Sequence, residues 1–160
     1  MTADFFTQMR SAMTMQRMLV NQMILDYGFA QNPPNFWPTP PKGIPALLNV
    51  RDVLRFATIN GARHLRLDGK TGSLTPGKEA DIIILDATAL NVAPLNNVPG
   101  AVVSLMDRTN VETVIVAGKV RKWKGQLLDV DLERLRRQLE VSRDHIFERA
   151  GEPQNLFRST

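Results

Sequence analysis

The chain has 160 residues, of which 43% are hydrophobic and 22% charged, with no cysteine, two histidines and a formal net charge of +4. Absence of cysteine excludes a disulfide scaffold, a thiolate metal site and a cysteine nucleophile. The length falls short of the ~200 residues that a complete (β/α)8 barrel needs. Asp4 through Tyr27 then reads as one amphipathic helix, with Phe5, Phe6, Met9, Met13, Leu19, Val20, Met23, Ile24 and Tyr27 mostly at three- and four-residue spacings. Asp4 suits its N-cap and Gly28 its C-terminal stop. Met15 and Met18 lie off the main face, so this helix expects neighbours on more than one side. Its methionines read as packed core, with an adaptable binding surface as the alternative.

Residues 31–49 hold six of the ten prolines and predict an extended connector, because proline fixes φ and biases the preceding residue away from helix. Phe36 and Trp37 within it read as aromatic anchors pinning the connector, or alternatively as a lid or a peptide-recognition feature. A second helix is predicted from Val50 to Leu65, capped by Asn49, with Gly61 marking a break or a close helix contact.

From Thr71 the pattern changes. Gly72 to Lys78 reads as a short strand entering a Pro76-Gly77 turn. Ala80–Leu85, Ala101–Leu105 and Val111–Ala117 read as strands. Gly118 permits a reversal into Val120–Lys124, giving a hairpin whose first arm is buried on both faces and whose second is an edge or half-exposed strand. Asp129–Ala150 reads as a final helix with Val130, Leu132, Leu135, Leu139, Val141, Ile146 and Phe147 on its apolar side, ended by Gly151 and Pro153.

No complete catalytic or ligand constellation is present in this pattern. Lys78 is followed by Glu79, so Gly72–Gly77 does not close a phosphate loop. G-x-S-x-G, H-x-H, H-E-x-x-H and D-x-D-x-D-G are all missing. His64 and His145 each read as a surface or packing histidine. Asp81, inside an apolar run, is the candidate buried carboxylate, with bonding of nearby backbone donors at the strand entry as its expected role. Lys119, Arg121, Lys122 and Lys124 around Trp123 make the one nucleic-acid signal. Protection of an edge strand by charge is the preferred reading of that cluster.

The segment Ala57-Thr58-Ile59-Asn60-Gly61-Ala62-Arg63, followed by Gly72-Ser73-Leu74-Thr75-Pro76-Gly77-Lys78-Glu79-Ala80-Asp81 and an apolar strand ending in Asp86, resembles the C-terminal signature of the amidohydrolase superfamily. The resemblance is to the cytosine-deaminase-like and chlorohydrolase-like branch. Val114–Val120 is similar to the hairpin that follows there, and Asp4–Arg10 to the start of the helix after the eighth barrel strand. The sequence departs at Arg66, where the family usually has glycine; Asp68-Gly69 is expected to make that turn instead.

The resemblance implies an α+β piece of a TIM-barrel enzyme. Residues 1–70 would be barrel-closing helices with the connector 31–49, residues 71–128 strands of a small composite β-sandwich, and residues 129–160 a terminal helix and tail. It implies a parent hydrolase acting on non-peptide carbon–nitrogen bonds, or on carbon–halogen bonds, of a small molecule. Zinc or iron is expected in a full-length parent, held by residues upstream of Met1, with no catalytic, cofactor or metal residue in this chain. The expected partners are a second copy or the missing N-terminal part of the parent. A non-catalytic oligomerisation module is the alternative, followed by a weak nucleic-acid-binding module. The longest strongly apolar run, Ile82–Leu85, is too short to span a membrane, and Met1–Asp4 shows no leader pattern, so a cytoplasmic location is expected.

Overall fold

The computed structural model describes residues 4–152 and separates into two compact units, one ending at Gln126 and one starting at Leu127. In the first unit, helix α1 (Phe5–Phe29) starts where expected. The Asp4 carboxylate accepts the Thr7 N–H at 2.8 Å and the Thr7 hydroxyl at 2.9 Å, satisfying donors that the first turn leaves open. Its far end corrects the expectation of a stop at Gly28, since α1 runs on to Phe29. Gly28 is needed for contact: a Cβ there would stand 2.1 Å from the Asn35 carbonyl oxygen and 2.8 Å from Pro38 Cγ.

The connector contains no regular element, as its prolines require. Its attachment differs from the expected aromatic anchoring. Phe36 does pack edge-on against Phe29, centroids 5.5 Å apart, but Trp37 is 92% exposed. The ties are polar instead. Gln16 donates to the Ala46 carbonyl and accepts the Leu48 N–H, both at 2.9 Å, while Arg17 Nε donates to the Leu48 carbonyl at 2.8 Å.

The predicted second helix is three pieces in register: α2 (Val50–Arg55), a π-helical turn (Phe56–Asn60) and α3 (Gly61–His64). Asn49 and Asp52 form a reciprocal capping box at its start. Gly61 does mark an irregularity: its N–H donates to the Phe56 carbonyl, and a Cβ would stand 3.0 Å from that oxygen. Arg66, with φ of +58°, then ends α3 in a left-handed cap. The Leu67 N–H donates to Ala62 and the Arg66 N–H to Arg63, closing both carbonyls. Arg66 itself therefore makes the turn that Asp68-Gly69 was expected to replace.

Three strand expectations change. Gly72–Thr75 is irregular, although the Pro-Gly turn forms, with the Lys78 N–H donating to Thr75 and Gly77 at φ +92°. Strand β1 (Ile82–Leu85) starts two residues late, and its Ile83 and Ile84 are exposed. Ala101–Ser104 is helical, forming the last four residues of α4 (Val98–Ser104), with Leu105 as its C-cap. A short apolar run fits either structure by pattern alone, and here Asn97 and Pro99 decide it. The Asn97 side chain accepts the Gly100 N–H, while Pro99 sits in the first turn, where its missing N–H costs nothing.

The hairpin forms as predicted. Strand β2 (Val111–Val116) pairs antiparallel with β3 (Lys119–Trp123) across Ala117 and Gly118, both at positive φ, as the favoured two-residue reversal demands. The sheet order is β1-β2-β3-β4, with β4 (Gln126–Leu127) taking the edge that β3 was expected to hold. Nor is β2 buried on both faces. Its fully buried residue is Thr113, and Val116 is exposed.

The core lies among the helices. Met9, Val53 and Val103 form one cluster, and Val92, Ala101 and Met106 a second. Phe6 and Val102 pack against both, and Leu85 and Ala87 bring the end of β1 to the second. Full burial of each valine contributes roughly 1.5–3 kcal/mol.

In the second unit, α5 (Leu132–Ala150) is capped by Asp131, which accepts the Arg134 N–H at 2.9 Å. Gly151 at φ +68° ends it. Pro153 lies outside the described residues. None of the α5 residues is buried. Among the described residues, no helix is long and apolar enough to cross a membrane.

Candidate functional site

The segment from Ala57 to Asp86 closes on itself. Gly72, at φ +87°, presses its Cα side against the helix, where a Cβ would stand 2.6 Å from Ala62 Cβ and 3.2 Å from Ile59 Cα. Lys78 reaches back and donates its ammonium to the carbonyls of Asp68 and Thr71. The Glu79 N–H donates to Lys70 at 2.8 Å. Asp81 then joins this loop to the hairpin: Oδ1 accepts the Ala117 N–H at 2.8 Å and Oδ2 the Thr71 hydroxyl at 2.9 Å. Next to it, the Gly118 N–H donates to the Ala80 carbonyl at 3.1 Å.

Asp81 is exposed rather than buried, which corrects the candidate drawn from its apolar flanks. Ala80 beside it and Ile83 and Ile84 beyond it are exposed too, so the carboxylate at the strand entry stays in solvent while still reaching a turn from a distant part of the chain. The Ala117 N–H, then the Thr71 hydroxyl, favour the carboxylate and hold its pKa below the ordinary value. The expected bonding of backbone donors is present.

A second network was not legible from the sequence. Asn110 is buried, and its amide donates to the Asp86 carbonyl at 3.2 Å and to Asn91 Oδ1 at 3.1 Å. It accepts from the Asn91 amide at 2.9 Å and from the Asp107 N–H at 3.0 Å. The short helical turn Arg108–Asn110 is capped by Asp107, whose carboxylate accepts from the Thr109 hydroxyl and N–H, lowering its pKa. Arg10 of α1 donates to the Met106 carbonyl at 2.9 Å, so helix, loop and sheet meet there. Asp107-x-x-Asn110 is a cap spacing that signals the turn. Asn91 carries no local signal of its role.

These are structural ties and hold no reactive group poised toward a cavity. His64 and His145 are both exposed. Of the basic cluster, Lys122 donates to the Val111 carbonyl at 2.6 Å, and the Lys124 ammonium sits 5.9 Å from the Trp123 ring centroid. Two of the four cations are thus engaged within the chain.

The sequence profile of the amidohydrolase family matches residues 3–121. This chain belongs to the amidohydrolase family. Among its relatives, the 5-methylthioadenosine/S-adenosylhomocysteine deaminase of Moorella thermoacetica is 36% identical over 58% of this chain and 22% of its own length. The 5'-deoxyadenosine deaminase of Methanosarcina acetivorans is 34% identical over 68% of this chain and 25% of its own. The chain therefore spans about a quarter of the length of these relatives. The crystal structure of an adenosine deaminase from Xanthomonas campestris with bound zinc superposes with a TM-score of 0.61 at 34% identity, over 62% of this chain and 23% of that one. Atrazine chlorohydrolase TrzN from Arthrobacter aurescens TC1, complexed with zinc, gives a TM-score of 0.54 at 22% identity, over 76% of this chain and 25% of that one. That likeness is one of fold.

The amidohydrolase signature thus has a mechanical meaning in this chain. Its glycine fits a backbone against α3, its lysine caps loop carbonyls, and its aspartate joins loop to hairpin. Zinc does not fit the residues described here. Among them, no group of three or more His, Cys, Asp or Glu side chains is placed to hold a metal ion.

Proposed function

We propose that the chain is the C-terminal quarter of a metal-dependent amidohydrolase that deaminates an adenosine-type nucleoside. In this reading α1 to α3 close the barrel, and β1 to β4 belong to the small sandwich beside it. The metal and its ligands sit in the part of the parent that precedes the matched quarter. The chain's role is structural: it holds barrel helices and sandwich in register through Gly72, Lys78, Asp81 and Asn110.

The observation that carries this reading is the identity of 32–36% to relatives that are named as deaminases of adenine nucleosides. The chlorohydrolase alternative is supported by fold likeness alone, at 20–22% identity. The exposed apolar side chains on α1, including Met15, Met18 and Leu19, suit a helix that meets further elements in a parent.

A chimera tests it. The stretch of the Moorella thermoacetica deaminase that this chain matches is replaced by the matching residues of this chain. The expected product binds zinc and releases ammonia from 5-methylthioadenosine. Residues 4–126 alone are expected to release none. A folded, zinc-loaded chimera without activity on any adenine nucleoside would overturn the proposal.

A further inference from the structure

The proline-rich connector carries a surface that the deaminase reading leaves unused. From Trp37 to Pro41 every residue is a proline or stands directly before one. Such a stretch is confined to extended backbone, and polyproline II, with three residues per turn, is the form that proline favours. Burial follows the same period: Pro38 is buried and Pro41 half-buried, whereas Trp37, Thr39, Pro40 and Lys42 are exposed. One edge of the three therefore lies on the fold, where Gly28 leaves room for Pro38. The other two edges face outward, Trp37 with Pro40 on one and Thr39 with Lys42 on the other. The segment is held at both ends. The Asn35 side chain accepts the Trp37 N–H at 3.0 Å, and the Ile44 N–H donates to the Pro41 carbonyl at 3.4 Å. Among the described residues, no donor meets the carbonyls of Trp37, Pro38, Thr39 or Pro40 in between.

Together these features fix the chemistry of what binds. Proline and indole edges pack on aromatic rings, and free carbonyls take donors such as a tyrosine hydroxyl or an indole N–H. Lys42, which no acid pairs with among the described residues, takes a carboxylate. A second copy meeting the segment across a two-fold axis sets carbonyl against carbonyl and Lys42 against Lys42. Nucleic acid finds little to hold, because Lys42 is the one cation between Arg17 and Arg51. A bilayer strips water from the four carbonyls and offers no donor in return.

We propose that residues 37–42 are a preformed polyproline II ligand for a partner protein whose groove is lined by aromatic rings and ends in a carboxylate. The fold already fixes the conformation of the segment, so little ordering is left to be done on binding.

The test needs no enzyme activity. Its probe is an isolated, dye-labelled SH3 domain with carboxylates at one end of its aromatic groove, titrated with the full chain and followed by fluorescence anisotropy. Saturable binding is expected, and Trp37→Ala and Pro40→Ala should each weaken it at least about tenfold. Lys42→Glu should weaken it as well and remove its dependence on salt. Circular dichroism and denaturant unfolding check that these exposed changes leave the fold intact. No binding, or binding that Trp37→Ala and Pro40→Ala leave unchanged, overturns the proposal. So does a dimer in sedimentation that Trp37→Ala abolishes, or binding to phosphatidylcholine vesicles that exceeds binding to the domain.

Discussion

Helices α1 and α5 begin in the same way and end up in opposite circumstances. Each starts with an aspartate accepting an N–H three residues on, and each carries an apolar stripe. Yet α1 buries Met9 and Val20 and holds its surroundings through Arg10, Gln16 and Arg17, whereas α5 buries nothing. A cap and a period are enough to specify a helix. Placement takes polar side chains that find distant carbonyls, and glycines that let backbones approach. Within the first unit these groups cluster in the signature segment, so substitutions there and in α5 are expected to differ sharply.

The largest effect is expected at Gly72. Gly72→Ala forces a side chain into the left-handed region and drives its Cβ to 2.6 Å from Ala62 Cβ. Strain of ~1–2 kcal/mol and overpacking of ~1–3 kcal/mol together destabilise by about 3 kcal/mol. Denaturant unfolding followed by circular dichroism should show a lower midpoint. An unchanged midpoint would mean that the signature loop is not seated on α3.

Asn110→Ala comes next. It removes one buried amide that serves the Asp86 carbonyl, the Asp107 N–H and Asn91. Leaving buried groups unpaired costs about 2 kcal/mol. The same unfolding measurement checks it, and Asn110→Asp should not rescue, since a carboxylate cannot donate to the Asp86 carbonyl.

Arg66→Gly changes the sign. Glycine relieves left-handed strain of ~1–2 kcal/mol at the α3 cap but adds ~0.5–1 kcal/mol of chain entropy to be lost on folding. A net gain of about 0.5 kcal/mol should appear as a higher midpoint. Because the cap is already closed by Leu67 and Arg66 themselves, no new hydrogen bond contributes.

Asp81 sharpens the comparison through pH. Its folded pKa is depressed by the Ala117 N–H and Thr71 hydroxyl. Its stabilisation is therefore complete above the unfolded value of about 3.9 and is lost as pH falls through the lower folded value. Asp86 and Asp107 act in the same direction. Asp81→Asn should unfold more readily than the parent at neutral pH, with the difference shrinking in acid. A constant difference across pH would show that the carboxylate charge is not what joins Thr71 to Ala117.

The sequence made the local devices legible: the caps at Asp4 and Asn49, the Gly118 reversal, the Gly151 stop and the Pro76-Gly77 turn each depend on residues within a few positions. It misled wherever the decision was made at a distance. Ala101–Leu105 carries an apolar run that fits strand or helix, and the cap at Asn97 settles it. Gly28 looked like a stop because its actual contact, the Asn35 carbonyl, is invisible to periodicity. Trp37 looked like an anchor by size, but the anchoring is done by Gln16 and Arg17 from another element. The ties of the site followed the same rule: Asp81 was visible as an oddity in an apolar run, whereas the Asn91–Asn110 pair spans nineteen positions and left no trace.

The smallest effect belongs to α5. Leu139 is 63% exposed, so Leu139→Ala removes side chain that is mostly in water already. Alanine is also the stronger helix former by a few tenths of a kcal/mol. The two contributions nearly cancel, and the unfolding midpoint of the isolated chain should stay within about 0.5 kcal/mol of the parent. A position whose truncation leaves folding unchanged is what separates α5, with no buried residue, from α1, which buries Met9 and Val20. A clear loss of stability would place Leu139 in a packed core and remove the distinction between the two helices.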